Sequence, residues 1–183
     1  VEVRAQVNLD DFESMKFRNI GPAGMSGRVT AIDVDLSNKD RIFIGSASGG
    51  VWKSENGGVT WEPLFDEQLH LSIGSLKINQ KNTAEIYVGT GEGNPRNSSN
   101  TGGGIYKTID GGKSWTHLGL KDTKVIHRIL IHPDHSEVVL VGATGSPWGD
   151  SMERGVYKSM DSGATWKKVL YKNQKTGIAD MVA

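Results

Sequence analysis

The octet SMDSGATW, residues 159–166, closes a strand-like run and opens another. Near-copies of it, SENGGVTW (54–61) and TIDGGKSW (108–115), stand earlier in the chain. Trp115 lies 54 residues after Trp61 and Trp166 lies 51 after Trp115, so the chain repeats a unit of about fifty residues. Each octet follows an alternating segment, GVWKS (50–54), GIYKT (104–108) or GVYKS (155–159), as a half-buried strand would. Three further segments align without a gap, VDLSNKDRIFIG (34–45), INQKNTAEIYVG (78–89) and IHPDHSEVVLVG (131–142). Each reads as a strand end, a turn and a second strand. The unit is therefore four short strands, and four-stranded meanders at this period are propeller blades.

The octet has a local physical reading as the turn between strands three and four. Asp110 and Asp161 are placed to accept hydrogen bonds from nearby backbone N–H groups, and Asn56 replaces them in the first copy with one acceptor oxygen. Gly112 and Gly163 are expected at positive φ. Trp61, Trp115 and Trp166 are expected to bury apolar area between neighbouring blades, about 3–5 kcal/mol each on truncation.

The pattern S/T-x-D-x-G-x-T/S-W resembles the Asp-box, or BNR repeat, of sialidases, xyloglucanases, photosystem II stability factors and the sortilin N-terminal domain. The wider stretches FRNIGPAGMSGRV (17–29), GSASGGVWKSENGGVTWEPLFDEQ (45–68) and VGTGEGNPRNSSNTGGGIYKTIDGGKSW (88–115) resemble secreted bacterial sortilin-like propellers, often described as glycosyl hydrolases. Kelch repeats have a similar period but do not predict Gly-x-Thr-Trp. The resemblance implies an all-β Asp-box β-propeller with structural roles for Ser54, Asn56, Gly58, Thr60, Trp61, Thr108, Asp110, Gly112, Ser114, Trp115, Ser159, Asp161, Gly163, Thr165 and Trp166. We expect a lead-in segment at 1–27, blades at 28–70, 71–124 and 125–176, and the first strand of a fourth blade at 177–183. Three blades and a strand make part of a larger closed propeller, whose remainder, or another chain, covers the open edge.

Composition restricts the function. Lys plus Arg and Asp plus Glu number 21 each among 183 residues, so no net field draws the chain to nucleic acid. No apolar run reaches the roughly 18 residues of a membrane span. The 24 glycines fall at regular places rather than in one tract, as tight turns require. Cysteine is absent, which removes thiol nucleophiles and thiolate metal sites. Neither a cofactor nor a metal is expected. HPDH (132–135) aligns with ordinary turns, and GTGEG (89–93) introduces no helix that would make it a phosphate cradle. The chain begins at Val1, and with the resemblance this points to a secreted, periplasmic or cell-surface protein whose signal peptide has been removed.

Binding is expected on the face carrying the loops between strands two and three. That loop is only SASG (46–49) in the first blade but grows to residues 90–103 and 143–154 in the others, and long loops on a rigid scaffold collect binding residues. Glu92, Asn94, Arg96, Asn97, Trp148, Asp150, Glu153 and Arg154 are the candidates. Asp33 and Asp180 occupy inner-strand positions, and FRNIG (17–21) resembles a sialidase arginine motif. No pair of glycosidase carboxylates stands out, so catalytic residues are not assigned. Two readings remain: a module that binds protein, peptide or glycan, or part of a sialidase- or xyloglucanase-like glycoside hydrolase.

Overall fold

A computed structural model describes residues 28–94, 97 and 99–182. They form three four-stranded antiparallel sheets in sequence order. The first holds β1 (Val29–Val34), β2 (Ile42–Ser46), β3 (Val51–Ser54) and β4 (Glu62–Pro63). The second holds β5 (Ile73–Ile78), β6 (Ile86–Thr90), β7 (Ile105–Thr108) and β8 (Thr116–His117). The third holds β9 (Ile126–Ile131), β10 (Val139–Ala143), β11 (Gly155–Ser159) and β12 (Lys167–Leu170). A short 3-10 turn, Lys121–Thr123, is the one helical element among the described residues. This is the meander of a propeller, with three blades side by side.

The blades meet through their first strands, since β1 packs on β5 and β5 on β9. β1, β5 and β9 are therefore the inner strands, and β4, β8 and β12 the outer ones. One device recurs at each junction. An isoleucine opening the next inner strand sits against a glycine of the preceding second strand, Ile73 on Gly45 and Ile126 on Gly89. Any Cβ on those glycines would collide with the isoleucine, so small meets large across the joint. Ile178 meets Gly142 in the same manner. Residues 177–182 pair with no strand of the third sheet, although Ile178 accepts a hydrogen bond from Thr144 Oγ1 at 3.0 Å.

Two apolar clusters fill the two junctions. Phe43, Val51, Phe65, Ile73 and Tyr106 belong to the first, with Trp115 against it. Tyr87, Ile105, Ile126, Val141 and Tyr157 belong to the second, with Trp166 against it. The middle blade is flanked on both sides, so β6 is buried at every residue and loses the alternation of a half-exposed strand. β1 lacks such cover: Ile32 is 64% exposed, whereas Leu76 at the corresponding place in β5 is 6% exposed.

The octets are the turns between third and fourth strands. In the second, Thr108 Oγ1 donates to Asp110 Oδ1 at 2.7 Å and accepts from Gly112 N at 3.0 Å, while Ser114 N donates to Asp110 Oδ1 at 2.9 Å. Ser159, Asp161, Gly163 and Thr165 repeat the pattern, as do Ser54, Asn56, Gly58 and Thr60. Gly58, Gly112 and Gly163 take φ of 91°, 96° and 92°, the left-handed region that excludes most side chains. Trp115 and Trp166 reach into the preceding blade, but Trp61 is 36% exposed and does not bury as expected. No blade lies before it among the described residues.

Candidate functional site

The long loops and the links between blades gather on one face, opposite the Asp-box turns. Three carboxylates flank the inner strands, Glu92 and Asp180 toward the loop face and Asp33 near the Asp-box end of β1, and each is committed. Glu92 is carried by the loop after β6, and its side chain is 1% exposed. Both its oxygens are taken by Arg28, from Nε at 3.1 Å and Nη2 at 2.6 Å. Asp33, on β1, accepts from Lys77 Nζ at 3.1 Å and from Ile78 N at 2.9 Å. Asp180 accepts from Arg128 Nε at 2.6 Å, and the guanidinium holds its carboxyl below the ordinary value. A glycosidase general acid needs the opposite shift. Among the described residues every carboxyl with a perturbed titration is moved downward.

His127, beside Arg128 on β9, lies directly beneath Gly93 of the 90–103 loop, where no Cβ would fit. Burial and the neighbouring Arg128 charge lower its pKa, and its Nδ1 is buried without a partner among the described residues. The loop above is anchored at both ends of its stem, Gly91 N donating to Ser72 O at 2.7 Å and Gly102 N to Lys124 O at 2.6 Å. Its outer part carries Asn94 and Asn97, both exposed. Arg96, the remaining candidate there, is outside the described residues, as is FRNIG.

The 143–154 loop is folded around one side chain. Arg154 is 9% exposed and donates to four carbonyls: Gln174 at 2.6 Å, Ser146 at 2.8 Å, Gly149 at 3.0 Å, and Thr144. Its guanidinium therefore serves as the loop's internal strut. Glu153 accepts from Tyr157 OH at 2.6 Å, and that bond lowers its pKa. Asp150 is exposed, and Trp148 at the tip is 65% exposed. So the candidates divide: Glu92, Glu153 and Arg154 hold loops in place, while Asn94, Asn97, Trp148 and Asp150 face solvent.

Two adjoining depressions open on the same face between the first and second blades, of about 480 Å³ and 360 Å³, and Leu69 and His70 line both. The larger one also has Tyr106, His117, Lys121 and Lys124 in its wall. His117 is fixed by Gly119 N donating to Nδ1 at 3.3 Å, which leaves Nε2–H to donate to Gly103 O at 2.7 Å. His132 Nδ1 accepts from the backbone N–H groups of Asp134 and His135 and shapes its turn. No group of three metal-ligating side chains occurs among the described residues. Sequence reasoning passed over His70, Lys77 and Arg128, since none stands in a motif. The one available signal was the inner-strand position of Lys77 and Arg128, where charge on a strand asks for a partner.

The profile of the Sortilin-Vps10 family (Sortilin, neurotensin receptor 3) matches residues 49–181. A xyloglucanase of Paenibacillus sp is 24% identical over 182 residues, covering 92% of this chain and 17% of that protein. An oligoxyloglucan-reducing end-specific xyloglucanase of Emericella nidulans is 26% identical over 167 residues, 87% of this chain and 19% of that protein. The chain thus spans less than a fifth of the length of these curated relatives. The crystal structure of an ancestral GH74 enzyme shares the fold, with a TM-score of 0.66 at 19% identity over 83% of this chain and 19% of that one. Three Asp-box blades, with the family profile running from the end of the first loop to the last residues described, make this chain a member of the Sortilin-Vps10 family.

Proposed function

We propose that the chain is part of a carbohydrate-active propeller of the xyloglucanase kind and that its loop face holds a neutral polysaccharide. The carrying observation is Trp148, an exposed indole on a loop that Arg154 braces from within. A saccharide ring stacks on such a surface, and a platform braced beforehand loses little entropy on binding. The likeness to xyloglucanases over most of the chain supports the same reading. The larger depression beside His70 sets Leu69 and Tyr106 beside His117, Lys121 and Asp122, and such a mixed wall suits the apolar face and the hydroxyl groups of a sugar ring. In this reading the three blades contribute binding. The acid and base come from outside the described residues, since Glu92, Asp33 and Asp180 are all held in ion pairs.

A polymer of this size meets the protein outside the cell, and no helix among the described residues is long and apolar enough to cross a membrane. Affinity electrophoresis in gels containing xyloglucan, with release of reducing sugars followed in parallel, tests the proposal. Retardation, weakened about tenfold by Trp148→Ala (about 1.4 kcal/mol), is the expected result. Equal mobility with and without polysaccharide, together with capture of peptides on an array, would replace it with the protein-binding alternative.

A further inference from the structure

The sequence holds one Asn-Gly step, Asn56-Gly57, and it falls inside the first box, where the other boxes carry Asp110-Gly111 and Asp161-Ser162. Glycine has no Cβ to obstruct approach of its backbone nitrogen to the preceding side chain. Attack of the Gly57 nitrogen on Asn56 Cγ forms a cyclic succinimide, and Nδ2 leaves as ammonia with the Gly57 proton. Water then opens the ring. Cleavage at Cγ gives aspartate, and cleavage at the main-chain carbonyl gives the isoaspartyl linkage.

The closed box withholds both reacting groups. Asn56 is exposed, yet Ser54 Oγ and Thr60 N donate to its Oδ1 at 3.0 and 2.9 Å, and its Nδ2 donates to Thr60 Oγ1 at 2.9 Å. Gly57 N, the nucleophile, donates to Asp40 O at 2.9 Å. Reaction therefore waits for the turn to open locally.

The same turn is built for the aspartate product. In the other boxes the hydroxyls of Ser114 and Thr165 donate to the second carboxylate oxygen at 2.6 Å, and such bonds hold Asp110 and Asp161 below the ordinary carboxyl value. In the first box the polarity is reversed and the amide donates to Thr60. Exchange of Nδ2 for a charged oxygen lets Thr60 turn its hydroxyl and donate, and charge-assisted bonds are about twice as strong as neutral ones. The acidic neighbours do not cancel that gain. Glu55 is paired with Arg41 and Lys53, Glu62 is paired with Lys53, and Asp40 is exposed, where water and salt screen it. The isoaspartyl linkage instead adds a methylene to the main chain between residues 56 and 57. It displaces Gly58, whose N–H donates to Ser54 Oγ at 2.8 Å.

We propose that Asn56 is a deamidation site that the closed first box protects, and that its aspartate product completes the box while its isoaspartyl product breaks it. This inference is independent of the glycan reading.

The test is incubation of the intact protein at mildly alkaline pH beside the free peptide SENGGVTW, with mass spectrometry of digests following both products at Asn56. The protein should react about tenfold more slowly than the peptide. Thr60→Val removes the hydroxyl partner of Nδ2 and should move the rate toward that of the peptide. Equal rates in protein and peptide, or no product in either the parent or Thr60→Val once the peptide is consumed, would overturn the protected site. Asn56→Asp reproduces the aspartate product and should raise the melting temperature at neutral pH by about 2 °C. A lower melting temperature in Asn56→Asp would overturn the claim that aspartate completes the box.

Discussion

Arg28 and Glu92 stand 64 residues apart in the chain and join as a bidentate ion pair across the first blade junction. Arg28 keeps 28% of its side chain exposed, whereas the carboxylate is almost wholly enclosed. The asymmetry sets the cost of breaking the pair, because a buried charge without a partner is worse than no charge at all. Arg28→Met should therefore destabilise the fold by about 3 kcal/mol, the low end for such pairs. The double variant Arg28→Met/Glu92→Leu should recover most of that loss in chemical denaturation. A double variant as unstable as the single one would show that the pair's geometry, rather than the stranded charge, matters.

Trp115 and Trp61 occupy the same box position with different surroundings. Trp115 packs edge-on against Phe65, with ring centroids 5.0 Å apart, and bonds to Leu64 O. Trp115→Ala should cost about 3 kcal/mol or more. Trp61 is 36% exposed and has no such neighbour among the described residues, so Trp61→Ala should cost only about 1 kcal/mol. Urea midpoints of the two variants give the comparison.

The Asp-box carboxylates predict an acid limit to stability. Hydrogen bonds from Ser114 and Thr108 hold Asp110 well below its ordinary value, and bonds from Thr165 and Ser159 lower Asp161 to about 2. A carboxyl whose folded pKa is depressed contributes stability above its unfolded pKa, and that contribution is lost as pH falls through the folded one. For Asp161 the window runs from about 3.8 down to about 2. Asp161→Asn should flatten the melting temperature's dependence on pH there while leaving the turn formed, as Asn56 already does in the first box. An unchanged slope would show that other carboxylates govern acid unfolding.

Arg154 should control the shape of the 143–154 loop. Lysine reaches fewer carbonyls and lacks the planar fork, so Arg154→Lys should hasten proteolytic cutting between residues 146 and 152 while the melting temperature falls little. If Trp148 is a stacking platform, the same variant should also weaken retention by xyloglucan. Loss of retention without faster cutting would point instead to direct contact between Arg154 and the glycan.

What was legible in the sequence is what closes over a few residues. Thr108, Asp110, Gly112 and Ser114 satisfy one another within a single turn, so the pattern is written into consecutive positions, and its spacing carries the blade. The small glycine in each second strand, Gly45, Gly89 and Gly142, repeats with the same frame and meets an isoleucine each time. By contrast, nothing in the residues around Glu92 names Arg28, and nothing near Arg154 tells an outward cation from an inward strut. Those outcomes depend on the angle between blades and on the path of loops without a period, so only the tertiary structure decided them. The exposure of Trp61 has the same origin. Its octet is sound in itself, but a tryptophan is buried by its neighbour, and the neighbour is a matter of register across the junction rather than of the eight residues that hold it.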